Sequence, residues 1–170
     1  GGVIQKSKLV YSDADLVDPA VGIWCPSVQG PGGLVLRDLS RYGNDGTLTN
    51  MAPATDWVDR AIDVDGTNDH VLIPSVFGLG IGNVTISGWA KLPTTSESGA
   101  FVKIGETEAE PNRYGYGIGV GSTNWDNSGN NLIALFENKR WINTSTVVGT
   151  DWFHYALVID SAGTPEIFLN

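Results

Sequence analysis

Residues 61–74, AIDVDGTNDHVLIP, put three aspartates and an asparagine within seven positions, between two apolar runs. Carboxylates at that density suit three roles: an oxygen cage for calcium, a pair of catalytic acids, or the polar outside of a turn. An EF-hand loop needs oxygen ligands at its first, third and fifth positions and glycine at its sixth. Counted from Asp63, the third position is Asp65, but the fifth is Thr67 and the sixth Asn68, so that pattern fails. A looser cage from Asp65, Asn68, Asp69 and backbone carbonyls stays open, because calcium accepts irregular oxygen shells. Gly66, however, permits a positive φ, and Asn and Asp side chains bond their own backbone in turns. These residues favour a hairpin, with Asp63 facing solvent, no cofactor required and calcium optional.

GETEAEP, residues 105–111, offers Glu106, Glu108 and Glu110 at alternate positions. On a strand such residues share one face about 7 Å apart, and retaining glycoside hydrolysis needs carboxyl groups about 5–5.5 Å apart. The residues between them are Thr107 and Ala109, bounded by Gly105 and Pro111, which describes a solvated acidic loop better than a strand packed on a core. His70 and His154 are the only histidines, each in a strand-like run without a nucleophile motif. With Cys25 the only cysteine, a common zinc site would need carboxylates as well. Cys25 lies between Trp24 and Pro26 and reads as a buried packing residue. GYGIGVG, residues 115–121, has alternating glycines and no helix after it, so it reads as a strand allowing close packing and not as a phosphate loop.

GSTNWDNSGNN, residues 121–131, is a polar loop holding one tryptophan. The flat indole of Trp125 suits the apolar face of a sugar ring, and Asn124 and Asp126 could hydrogen-bond its hydroxyls. The competing role for Trp125 is to fold back as a plug on the sheet edge. Trp141, in NKRWIN, is a weaker ligand candidate, and Trp24, Trp57, Trp89 and Trp152 read as structural. NVT at Asn83 and NTS at Asn143 match the glycosylation pattern, as chance allows in a chain rich in Asn and Thr.

The elements that must position these residues are short. Gly at 22 and Pro at 8 in 170 residues favour strands and turns over helices. NVTISGWAKL, residues 83–92, alternates: Val84, Ile86, Gly88, Ala90 and Leu92 share one face, and Thr85, Ser87, Trp89 and Lys91 the other. Similar runs recur through TPEIFLN at 164–170, which predicts an all-β antiparallel sandwich or barrel over 21–170 behind an arm at 1–20. A net charge of −9 with scattered basic residues argues against nucleic acid and anionic membranes. No stretch is apolar enough to span a bilayer. The run TPEIFLN ends the sequence without a partner after it, so 164–170 is expected either to pair with an earlier strand or to exchange strands with a neighbouring chain.

DLSRYGNDGTLTN, then AIDVDGTNDHVLIP, then VTISGWAKL, and later DWFHYALVIDSAGTPEIFLN, together resemble the laminin-G-like jelly-roll modules of the concanavalin A-like lectin and glucanase superfamily. Arg41 and Tyr42 stand where a small residue is usual, and Asp45 where His is frequent. The resemblance implies a two-sheet antiparallel β-sandwich lacking its last strands, and a binding role more often than catalysis. The expected function is a non-catalytic adhesion module engaging glycan or a protein surface through its loops, in an extracellular, cell-surface or virion setting. The alternatives are a structural component of a larger assembly, such as a virion appendage or capsid decoration protein, with self-association, and more distantly an endoglycanase.

Overall fold

The computed structural model describes residues 20–74, 83–105, 115–123, 127–137 and 141–170. Among the described residues nearly all regular structure is antiparallel strand, with two four-residue helices, α1 (Pro26–Gln29) and α2 (Pro53–Asp56), each with proline in its first turn. The chain divides into two compact units, Gly1–Phe77 and Gly78–Asn170. Of the arm expected at 1–20, only Ala20 lies among the described residues.

In the first unit, β1 (Val35–Leu36), β2 (Gly46–Thr49) and β5 (His70–Leu72) form one sheet in the order β1-β2-β5. A separate ribbon pairs β3 (Trp57–Val58) with β4 (Ala61–Ile62). Leu36, Leu48 and Met51 make the core, with Trp24, Trp57, Ile62 and Val71 packed on it. Two indoles are fixed by their N–H groups: Trp24 Nε1 donates to Asn44 O at 2.9 Å and Trp57 Nε1 to Gly33 O at 3.0 Å.

Asp38 ties this unit together. Its Oδ1 accepts from Ile23 N and Ser40 N, both at 2.8 Å, and its Oδ2 from Ser40 Oγ at 2.7 Å and Asn44 N at 2.8 Å. One carboxylate thereby closes the Leu39–Gly43 turn and holds the segment that carries Trp24. Burial pushes the Asp38 carboxyl up, but the hydrogen bonds from Ile23, Ser40 and Asn44 outweigh it and hold the group below its ordinary value.

In the second unit, β7 (Gly99–Gly105), β8 (Gly115–Gly121), β9 (Asn131–Glu137) and β10 (Ile142–Val147) form a sheet in the order β10-β9-β8-β7. A second sheet runs β12-β11-β6, from β6 (Val84–Ala90), β11 (Phe153–Ile159) and β12 (Pro165–Leu169). The two sheets share one core: Ile118, Leu132 and Ala134 on one side and Ile86, Leu157 and Ile159 on the other. Phe101 stacks on Tyr155 with centroids 5.2 Å apart. Phe101 sits where the β7–β8 register slips between Ala100 and Val102, a bulge that re-aims one side chain. The architecture is therefore sandwich-like, and neither sheet closes on itself.

The face read from NVTISGWAKL points inward: Val84 and Ile86 are buried, and Gly88 lies opposite Tyr155. A Cβ at Gly88 would stand 2.7 Å from Tyr155 Oη, so the glycine makes room for the ring. Burial pushes the Tyr155 hydroxyl up to about 12. β12 pairs internally with β11 from Pro165 to Leu169, the first of the two outcomes expected for 164–170.

Two predictions follow from this packing. A Cβ at Gly119 would stand 2.2 Å from Gly99 O, which is backbone and cannot swing away, whereas one at Gly149 meets nothing within 4 Å. Gly119→Ala is expected to cost about 1–3 kcal/mol or more and Gly149→Ala within about 0.5 kcal/mol, read by urea denaturation; equal effects would refute the close approach. For Asp38, the depressed pKa means its stabilisation is present above the unfolded-state pKa and lost as pH falls through the folded one. Asp38→Asn puts an amide N–H₂ against a carboxylate's donors and is expected to cost about 1–3 kcal/mol near neutral pH. That gap should shrink below about pH 4, and melting curves from pH 2 to 6 that keep a constant gap would sink it.

Candidate functional site

The outward face of the β12-β11-β6 sheet carries two exposed aromatics, Trp89 and Phe168. Period-2 alternation puts Thr85, Ser87 and Trp89 of β6, His154, Ala156 and Val158 of β11, and Glu166 and Phe168 of β12 on that face. Trp89 is 63% exposed and Phe168 53%. Trp89 is in register with His154, and their rings meet edge to face with centroids 5.4 Å apart. Ala156 sits between Ser87 and Phe168 in register, a low floor between the large rings. Because Trp89 and Phe168 lie on strands two apart and two residues out of register, they are offset by about 10 Å across the sheet and about 7 Å along it. Asn170 clamps the end of this face: its Oδ1 accepts from His154 N at 3.0 Å, and its own N–H donates to His154 O at 3.3 Å.

This surface offers flat apolar faces with an imidazole, two hydroxyls and a carboxylate around them. That is a stacking and hydrogen-bonding surface.

Trp89 and Trp152, expected to be structural, are 63% and 50% exposed, which corrects that reading. The reason is parity: Trp89 follows Thr85 and Ser87 on the outward row, and residue type alone suggested a core role. Trp24 and Trp57 do pack against the first unit's core. Trp141, offered as a ligand contact, is 5% exposed and clusters with Ile133 and Leu135. Its indole lies over Gly117, where a Cβ would come within 2.8 Å of Cη2. The alternating glycines of β8 thus leave a shallow row that this ring helps to cover.

Asn124, Trp125 and Asp126 lie outside the described residues, as do Glu106, Glu108 and Glu110. The stem of the 121–131 loop is well held. Ser122 N donates to Asn127 O at 2.7 Å, Asn127 Nδ2 to Thr123 Oγ1 at 2.8 Å, and the side chains of Asn131 and Asn143 both donate to Ser122 O.

The aspartate cluster forms a turn, with Asp63 exposed as expected. It is not the expected hairpin. The flanking strands β4 and β5 pair with β3 and β2, in different sheets. Asp65 Oδ1 accepts from Thr67 N at 2.7 Å and Asn68 N at 3.3 Å, and Asp69 Oδ2 from Asp65 N at 3.1 Å. The Thr67 amide leads in holding the Asp65 carboxyl below its ordinary value; desolvation opposes it, and the Asn68 and Asp69 amides assist. Asn68 O in turn accepts from Asn50 Nδ2 at 3.1 Å. Asp65 Oδ1 and Asp69 Oδ2 are thus each engaged by backbone N–H groups of the turn itself. Among the described residues, no group of three or more His, Cys, Asp or Glu could hold a metal ion. Cys25 is half-buried and not fully packed away, with Sγ 3.2 Å from Ser27 Oγ. His70 Nδ1 lies 2.9 Å from Asn68 O.

The contrast between the two tryptophans is testable. Trp141→Ala is expected to cost about 3–5 kcal/mol, as for other buried large aromatics. Trp89→Ala should cost far less, since its ring is mostly in water. Denaturant midpoints measure both; equal losses would show that Trp89 is a packing residue.

No family model matches the chain, nor does any curated protein or solved structure, so the geometry and the residues carry the functional reading.

Proposed function

We propose that this chain is a non-catalytic binding or adhesion module that recognises glycan or another surface. The observation that carries this reading is Trp89, 63% exposed on a strand face beside His154, with Phe168 on the same face. Leaving a large apolar side chain in water forgoes about 1.5–3 kcal/mol of burial. A sugar ring presents apolar C–H faces and rim hydroxyls, which match indole and phenyl faces set among His154, Ser87 and Glu166. The polar loop bearing Asn124, Trp125 and Asp126 is a second contact in this reading, since loops on rigid scaffolds often carry function.

The module is, in this reading, a jelly-roll sandwich of the laminin-G-like, concanavalin A-like kind. Its motif order and its two facing antiparallel sheets support that assignment, and fold kinship alone does not fix the ligand. An extracellular, cell-surface or virion setting goes with it. Among the described residues no helix is long and apolar enough to cross a membrane, in keeping with a partner met without membrane-spanning helices.

A glycan array tests the reading. The chain is expected to retain a subset of neutral glycans, and Trp89→Ala and Phe168→Ala should each weaken retention about tenfold or more, the loss of roughly 1.4 kcal/mol of stacking, with the melting temperature nearly unchanged. Binding indifferent to both substitutions, or no glycan retained at all, would overturn it.

One observation favours the alternative, a structural component of a larger assembly. Asn170 N–H points to β11, so even-numbered residues of β12 turn their backbone groups to that strand. Ile167 and Leu169 therefore turn theirs to the outer edge, which no described strand pairs. Between that edge and β10, which ends the other sheet, lies a cleft of about 310 Å³ lined by Ala134, Ile142, Thr144, Thr146, Pro165 and Ile167. Open edges are templates for strand addition. Light scattering over a concentration series is expected to show self-association under this alternative, and a monomer at every concentration would remove it.

A further inference from the structure

We draw no further inference here: the strongest candidate, the cleft between the edge strands β10 and β12, already underlies the assembly reading, and nothing in the structure shows what fills it.

Discussion

The second unit depends on burying both faces of its central strand pair. In β9, Leu132 and Ala134 face the shared core, while Ile133 and Leu135 face the other way, and all four are at most 1% exposed. Every residue of β8 is buried as well. A strand pair with no solvated face needs cover on each side. On one side the β12-β11-β6 sheet supplies it, through Ile86, Leu157 and Ile159. On the other, Trp141 lies against Ile133 and Leu135 and over Gly117. The glycines of β8 belong to this constraint: at Gly117 and Gly119 neighbouring atoms occupy the space a Cβ would take. Glycine weakens a strand by its entropy and its missing side chain, and here close approach of an indole and of a neighbouring strand offsets that weakness.

Much of this was legible where one face is wet. The alternation of 83–92 identified the inward row of β6 because period-2 order is strong when one side is solvated. The same logic fails for β8 and β9, whose faces are both covered, since GYGIGVG and NLIALFE have no polar row to mark register. The 61–74 stretch misled for a different reason. Two short apolar runs around a Gly-containing turn are what a hairpin needs locally, but strands of two and three residues have little pairing of their own. Tertiary partners decided: β4 went to β3, across a turn in which Asp59 and Arg60 both have positive φ, and β5 went to β2.

The candidate site was half legible. Residue type argued that Trp89 was structural, and residue position argued the reverse, because Trp89 shares its row with Thr85 and Ser87. Position was the better guide. The same parity marked Phe168 as an aromatic on the row of Glu166. What no sequence pattern supplied was their convergence, which needs the order β12-β11-β6 and the registers that bring His154 opposite Trp89 and Ala156 opposite Phe168. Trp141 shows the converse error: a tryptophan in a polar stretch looks like a ligand contact until the glycine row beneath it is known.

The result is a division of labour within single strands. In β6, Gly88 yields space to the buried Tyr155 while its neighbour Trp89 stands in solvent; in β11, His154 faces out between Phe153 and Tyr155, which face in. Inward residues fix the backbone through the core, and the outward rings inherit that rigidity without contributing much to it. A stacking surface gains from such support, because rings held on a paired strand lose less conformational freedom on contact than rings on a free loop. The geometry of the outer face is thus set by Tyr155, Leu157 and Phe101 on the inner side. Side chains on the outer row can change ligand preference without touching that core, whereas a side chain at Gly88 would press on the Tyr155 ring inside it.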